Sequence, residues 1–269
     1  MAMRAGDIGL RAASALVLAP AAILALWTGG WWFLAVMLAA SVLLASEWAH
    51  MSAPSNWKPV AAAVTLALVA ALLATHSGEL SLGLVLLVFG AVSAAVFVRR
   101  LRLEPIDAAY GVFYLGWPMV LLVWLRGGEG EAGFWWTLFT FVVAWASDIL
   151  AYLIGSLVGG PKLWPRFSPK KTWSGFVGGM IGGVIAGVVL GPYIDVGPLW
   201  GGLLGFAAAL ATMAGDLWES ALKRRFGVKD AGNIIPGHGG LLDRVDGLMF
   251  AVVVVACARL IVVMTGGAA

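Results

Sequence analysis

Residues 80–98 read LSLGLVLLVFGAVSAAVFV and are followed directly by Arg99 and Arg100. A helix that crosses a bilayer needs about 20 mostly apolar residues, and this uncharged run has that length. Its apolar residues are continuous rather than alternating, which indicates a helix and not a strand of a membrane barrel. Comparable runs predict nine transmembrane helices, at 10–27, 31–46, 59–75, 80–98, 108–125, 134–155, 174–194, 198–218 and 247–265.

The composition of the whole chain agrees with a membrane protein. Of its 269 residues, 61% are hydrophobic and 12% are charged, and the mean hydropathy is +0.95. Soluble domains carry roughly 25% charged residues, and disordered chains are far less apolar, so both classes are excluded. The single cysteine, Cys257, lies in an apolar run, which excludes a disulfide framework and a cysteine-based metal site. We expect an all-α, polytopic membrane fold.

The basic residues predict how the chain is oriented. Nine spans place 15 of the 17 Lys and Arg residues on one side, with Arg126 on the other side and Arg259 inside the last span. Positively charged loops stay in the cytoplasm, so the N-terminus is predicted inside and the C-terminus outside. The first apolar run lacks a convincing cleavage site and is predicted to be a retained span. The position of the basic residues also argues against a nucleic-acid partner. We expect a multi-pass protein of a bacterial-type inner (cytoplasmic) membrane, with its active site on the cytoplasmic side.

The two halves of the chain differ in their polar content. Residues 1–140 form apolar spans with almost no ionisable group, which favours a packing role, a homodimer interface or an entry groove for lipid. Residues 141–269 carry nearly all the polar groups at membrane depth, and the active site is predicted there. A stripe of glycines in the seventh span predicts close packing against another helix, and its members are Gly175, Gly179, Gly183, Gly187 and Gly191.

Two polar segments of the second half permit both a functional and a structural interpretation. Asp148 lies inside the sixth span, where a carboxylate is costly and marks a functional site by default, although Ser147 or Tyr152 could simply hydrogen-bond it. The following loop contains Ser168, Lys170 and Lys171 before a helix N-terminus, which favours an anion site. The same lysines equally fit an ordinary cytoplasmic loop.

The end of the eighth span combines a carboxylate with a hydroxyl and a cation. Asp216, Ser220 and Lys223 follow one another at helical spacing, so they lie near one face of the helix. A carboxylate beside such groups suits a divalent metal that is held together with phosphates. The alternative is a helix end whose lysine interacts with the helix dipole.

The strongest segment is 228–246, which contains the sequence Pro-Gly-His-Gly-Gly at 236–240. So little side-chain bulk around His238 suits close contact with a ligand. Asp243 and Asp246 are three residues apart at the start of the last span, so in a helix both can face one metal ion. Arg244 could bind a phosphate with two hydrogen bonds. A flexible hairpin with solvated charges is the alternative.

Together these residues form a long pattern that closely resembles the signature of phosphatidate cytidylyltransferases, also called CDP-diacylglycerol synthases. The pattern is Ser220, Lys223, Arg224, Lys229, Asp230, Pro236, Gly237, His238, Gly239, Gly240, Asp243, Arg244 and Asp246. The segments around Ser147 and Lys170 and the layout of spans are also similar to that family, whereas the first half matches only in character. One departure is Gly247, where a serine is expected.

The resemblance implies a reaction of CTP with phosphatidic acid that yields CDP-diacylglycerol and pyrophosphate. It also implies dependence on Mg²⁺ and a second, monovalent cation such as K⁺. Metal-binding roles then fall to Asp216, Asp243 and Asp246, and the catalytic set adds His238 and Lys223. Substrate-binding roles fall to Asp148, Ser168, Lys170, Lys171, Ser220, Arg224, Lys229, Asp230, Gly239, Gly240 and Arg244.

The position of the charged residues fits the reaction that the resemblance implies. One substrate is a lipid that stays in the bilayer and the other is a cytosolic nucleotide, so the site belongs at the cytoplasmic interface. We expect asparagine at Asp243 or Asp246 to abolish most of the activity, and we expect serine at Gly247 to be tolerated. The alternatives are a secondary transporter, which intramembrane carboxylates permit, and an enzyme that uses CTP on another lipid, such as a polyprenol kinase.

Overall fold

The computed structural model describes residues 20–127, 131–232 and 239–266, and most of them are helical. These residues divide into two compact units. The first unit contains residues 20–127, 226–232 and 239–245, and the second contains residues 131–225 and 246–266.

Nine helices and one strand pair follow one another along the described residues. The first unit begins with α1 (20–28), α2 (Gly30–Ser52), α3 (Trp57–His76), α4 (Leu80–Arg100) and α5 (Pro105–Arg126). Then follow α6 (Ala132–Val158), strands β1 (Lys162–Trp164) and β2 (Ser168–Thr172), α7 (Trp173–Leu190), α8 (Gly197–Arg225) and α9 (Leu242–Met264). Short 3-10 helices lie at Pro54–Asn56 and Gly191–Ile194.

The predicted multi-pass, helical architecture is confirmed. Within the described ranges, eight helices are long and apolar enough to cross a membrane, and they correspond to the second to ninth predicted spans. The first predicted span, 10–27, lies mostly outside the described residues, and 20–28 is helical. Helix α2 continues past the predicted end at residue 46 because Glu47, which interrupts the apolar run, is buried rather than exposed to water. The inside–outside orientation stays a prediction.

Trp48 of α2 organises the core of the first unit. Its ring is fully buried, and its Nε1 donates a hydrogen bond of 3.0 Å to the backbone oxygen of Asp107 on α5. The rings of Tyr110 and Tyr114 lie with their centroids 5.6 Å from that of Trp48. Phe226 meets the same indole edge-on at 5.5 Å. The segment that follows α8 is therefore anchored on the core formed by α2 and α5.

The glycine stripe of α7 packs against two neighbouring helices, as the sequence predicts. A Cβ atom added to Gly179 would lie 3.0 Å from Oγ of Ser147 on α6. One added to Gly183 would lie 2.7 Å from the backbone oxygen of Gly205 on α8. Any larger residue would separate the helices, so the stripe lets α6, α7 and α8 pack backbone to backbone.

The segment between α6 and α7 is not the simple loop that the sequence predicts. Strands β1 and β2 form an antiparallel pair in which Lys162 lies opposite Thr172 and Trp164 lies opposite Ser168. Trp164 and Phe167 contact each other edge to face at 5.1 Å across the turn. This small hairpin departs from the otherwise helical architecture of the described residues.

Candidate active site

The side chains of Asp216, Glu219 and Asp246 form the carboxylate cluster of the second unit. Asp216 and Glu219 lie three positions apart on α8, so they share one side of that helix. Asp246 of α9 has both carboxylates as charged neighbours and hydrogen-bonds Glu219. Glu219 is only 1% exposed, whereas 35% of the Asp216 side chain is exposed. The cluster therefore has a deep end at Glu219 and an accessible end at Asp216.

Two lysines partly neutralise the carboxylate cluster. Lys171, at the end of β2, forms an ion pair with Asp216, and its Nζ also lies 3.5 Å from the sulfur of Met213. Lys223 donates a hydrogen bond of 2.8 Å to Glu219, one helical turn before it. Two ionised carboxylates cannot hydrogen-bond each other, so Asp246 and Glu219 share one proton. Once that proton is lost, three carboxylates and two ammonium groups leave a formal charge of minus one. Such a site attracts a cation and, through its lysines, a phosphate.

Two glycines let α8 and α9 approach closely enough to form the carboxylate cluster. A Cβ atom added to Gly215 would lie 3.1 Å from Cα of Gly247. One added to Gly247 would lie 2.9 Å from the backbone oxygen of Thr212. This distance argues against the expectation that serine is tolerated at position 247, because the neighbouring atom is a helix carbonyl that cannot move aside alone.

Glu219 belongs to the site although the sequence pattern does not predict it. The sequence instead predicts Ser220 on the functional face of α8, and Ser220 is half-buried beside Glu219. The available signal was spacing, since Glu219 is three residues after Asp216 and four before Lys223. Because Glu219 is buried and pairs with Lys223, it is part of the carboxylate cluster and not of the solvated end of the helix.

We expect a Lys223→Met variant to be markedly less stable than the parent chain. Breaking a buried ion pair leaves a carboxylate without its counter-charge, which costs about 3–5 kcal/mol. The double variant Glu219→Gln and Lys223→Met should recover most of that loss because it removes both charges. Thermal unfolding in detergent measures the difference, and equal unfolding temperatures for the parent chain and the single variant would contradict this assignment.

In the first unit, the segment that leads into α9 is held by Asp243. One carboxylate oxygen, Oδ2, accepts hydrogen bonds from the backbone N–H of Gly240 at 2.8 Å and of Ala231 at 3.0 Å. Gly239 has a φ of +87°, and a Cβ atom there would lie 2.8 Å from the same oxygen. The contacts of Asp243 thus support a role in shaping the segment, and its predicted metal-binding role stays a prediction.

A second carboxylate, which the sequence pattern does not predict either, holds the same segment. Glu47 of α2 is 2% exposed and accepts hydrogen bonds from the backbone N–H of Leu241 at 2.8 Å and of Leu242 at 2.7 Å. It is an exception to the expectation that the spans of the first half carry almost no ionisable group. The only signal was an acidic residue directly before a tryptophan at the end of an apolar run.

The hairpin separates the two predicted anion-binding lysines. Adjacent residues of a strand point to opposite faces, and Lys171 pairs with Asp216 whereas Lys170 is exposed. The N-terminus of α7, predicted to attract phosphate, is already capped, because Oγ1 of Thr172 accepts a hydrogen bond from N–H of Gly175 at 3.1 Å. Any anion site here depends on the lysines and on the half-buried Ser168 more than on the helix end.

The other predicted site residues lie at exposed positions or outside the described residues. In the second unit these are Asp148 on α6 and Arg224 at the end of α8, and in the first unit they are Lys229, Asp230 and Arg244. Their predicted substrate-binding roles stay predictions. The predicted catalytic His238 falls in 233–238, outside the described residues.

Comparison with known proteins identifies the family. The chain matches the cytidylyltransferase family over residues 9–262. It is 37% identical over 248 residues to a phosphatidate cytidylyltransferase of Brucella abortus biovar 1 (strain 9-941), covering 91% of this chain and 90% of that protein. A protein of the same name from Staphylococcus saprophyticus is 40% identical over 153 residues, which cover 55% and 58% of the two chains. The resemblance expected from the signature is confirmed, and the chain belongs to the cytidylyltransferase family.

Proposed function

We propose that this protein is a membrane nucleotidyltransferase that converts CTP and phosphatidate to CDP-diacylglycerol and pyrophosphate. The observation that carries the proposal is the carboxylate cluster with Lys171 and Lys223, found in a chain that belongs to the cytidylyltransferase family. Its relatives that carry the name phosphatidate cytidylyltransferase support the choice of substrates.

The reaction needs no nucleophile from the protein. A phosphate oxygen of phosphatidate attacks the α-phosphorus of CTP and forms a new P–O bond. The bond between that phosphorus and the oxygen leading to the β-phosphate breaks, and its electron pair leaves with pyrophosphate. A phosphate monoester is already mostly dianionic near pH 7 because its second pKa is about 6. The protein therefore contributes positioning and stabilisation of charge.

The donor chemistry of the carboxylate cluster fits the Mg²⁺ ion that the family implies. Among residues 20–127, 131–232 and 239–266, no three His, Cys, Asp or Glu side chains are arranged to hold a metal by themselves. Mg²⁺ is usually bound by one or two carboxylates together with substrate phosphates and water, so Asp216 and Asp246 would suffice as protein ligands. When bound with the nucleotide, Mg²⁺ would neutralise charge on the triphosphate oxygens. A monovalent cation such as K⁺ stays part of the proposal.

The lysines beside the cluster are proposed to act on the phosphates. Lys171 forms an ion pair with Asp216, and its ammonium group would be available to a substrate phosphate if Asp216 served as a metal ligand. Lys223 keeps Glu219 neutralised and offers a second cation to the pyrophosphate as it leaves. Ser220, Arg224, Lys229, Arg244 and His238 stay candidates for substrate contacts, and the homodimer and the cytoplasmic location of the site also stay proposals.

The decisive experiment follows the label of CTP into lipid. Purified protein in detergent is incubated with phosphatidate, Mg²⁺ and CTP labelled at the α-phosphate. We expect label in the chloroform-soluble product, and we expect it to disappear when phosphatidate is omitted or EDTA is added.

A parallel reaction uses CTP labelled at the γ-phosphate, and that label should stay in the aqueous phase with pyrophosphate. Lipid labelled only from the γ-phosphate would instead identify a lipid kinase. A folded protein that transfers no label at all would favour the transporter alternative.

A further inference from the structure

We infer that Glu47 is a positioning residue for the reaction: its buried carboxylate fixes the backbone that leads into α9 by binding two amide groups of that segment. This inference rests on the proposed function for its kinetic part only. The contacts themselves lie wholly within the first unit, and they join residues 194 and 195 positions apart in sequence.

The amide clasp comprises the carboxylates of Glu47 and Asp243 and the four backbone N–H groups that they bind. Glu47 binds the N–H of Leu241 and Leu242, and Asp243 binds the N–H of Ala231 and Gly240. Three consecutive amides, 240 to 242, therefore point at carboxylate oxygens. Such amides at the start of a helix otherwise bind anions, so here the protein supplies the anions itself.

Two glycines leave the space that the carboxylate of Glu47 occupies. A Cβ atom added to Gly232 would lie 2.8 Å from Oε1 of Glu47, and one added to Gly240 would lie 2.8 Å from the same oxygen. Neither glycine has a positive φ, so neither is needed for backbone conformation. Their lack of a side chain instead makes room for the carboxylate. Gly240, which the signature includes, thus has a role that requires no contact with substrate.

The burial of Glu47 also argues for a specific role. A carboxylate with 2% exposure loses its hydration and must recover that energy through hydrogen bonds. An apolar residue could fill the same space at α2 but could not bind the amides of residues 241 and 242. Because the bound segment carries Asp243 and Arg244 and continues into Asp246 on α9, loss of the clasp should disturb the chemistry more than the binding of CTP.

The test is a Glu47→Gln variant, which keeps the size of the side chain but replaces one acceptor oxygen with an NH₂ donor. Hydrogen exchange without substrate should become faster in the peptide that covers 239–246 and stay unchanged in a peptide from α7. In the assay with labelled CTP, kcat should fall by about tenfold to a hundredfold, while KM for CTP changes by less than about threefold. Glu79→Gln neutralises an exposed carboxylate in the same unit and should leave the exchange rate, kcat and KM unchanged.

A second variant covers the case in which Glu47→Gln does not fold. Gly232→Ala keeps the charge of Glu47 but pushes its carboxylate away, and it should produce the same exchange and the same kinetic pattern. Faster exchange at 239–246 with an unchanged kcat would overturn the positioning role. Unchanged exchange in a folded variant would overturn the clasp itself. A parent chain that transfers no label would instead refute the proposed function, since the exchange measurement needs no activity.

Discussion

An Asp246→Asn variant is expected to lose cytidylyl transfer by about a hundredfold to a thousandfold and yet to unfold at the same temperature as the parent chain or at a higher one. The loss follows from the proposed role of Asp246 as a ligand for the metal that neutralises the triphosphate, since removal of one preorganised group that stabilises charge has effects of that size. The preserved stability follows from its neighbours. Asp216 and Glu219 are both acidic, so asparagine relieves repulsion within the carboxylate cluster.

These opposite effects distinguish a catalytic role from a structural one. Transfer is measured with α-labelled CTP at saturating phosphatidate, and stability is measured by thermal unfolding in the same detergent. Functional sites commonly retain groups that lower stability, so a variant that gains stability and loses activity is the expected signature. A purely structural aspartate would give the reverse pattern, with lower stability and a proportional loss of active protein.

Asp195→Asn provides the matched control in the same unit. Asp195 is exposed and has a left-handed φ of 58°, a conformation that asparagine also adopts readily. We expect this variant to retain the activity and the unfolding temperature of the parent chain. Near-normal turnover by Asp246→Asn, measured beside this control, would refute the metal assignment.

The fold could be predicted from the sequence largely because lipid restricts the choices. A backbone in hydrocarbon must satisfy its own hydrogen bonds, so long apolar runs such as 80–98 become helices almost without exception. The close packing at the glycine stripe of α7 could likewise be predicted, since small residues at a spacing of four let helices approach. The hairpin between α6 and α7 could not be predicted, because residues 162–172 lie outside the apolar runs and carry no strong alternating pattern.

The site could be predicted only in part, because some of its contacts depend on tertiary packing and not on local sequence. Asp216, Lys223 and Asp246 stand out because their spacing and position relative to the spans are visible in the sequence. The partners of Glu47 lie almost two hundred residues away in the chain, and no local sequence pattern predicts a carboxylate that binds backbone amides. Asp243 looked equivalent to Asp246 by spacing, yet its oxygens hold the backbone of its own segment. Contacts that depend on tertiary packing are the ones that local sequence patterns do not predict.

A Gly247→Ser variant is the second large effect that we expect, with a loss of about 1–3 kcal/mol in the free energy of unfolding and a fall in kcat of about a hundredfold. The new Cβ atom would lie 2.7 Å from Cγ2 and 2.9 Å from the backbone oxygen of Thr212. Because that oxygen belongs to a helix, α8 and α9 must move apart. Asp246, adjacent to residue 247, then shifts relative to Asp216, and a displacement of about 1 Å can cost a hundredfold in rate.

The double variant Gly247→Ser and Thr212→Ser tests this explanation directly. Removal of Cγ2 relieves the contact of 2.7 Å but leaves the contact of 2.9 Å with the carbonyl oxygen, so we expect stability and kcat to recover only in part. Cys257→Ser places a serine at an exposed position of the same helix and should behave like the parent chain. Full activity of Gly247→Ser alone would show that the two helices separate without moving the carboxylates. In that case this glycine does not set the distance between Asp216 and Asp246.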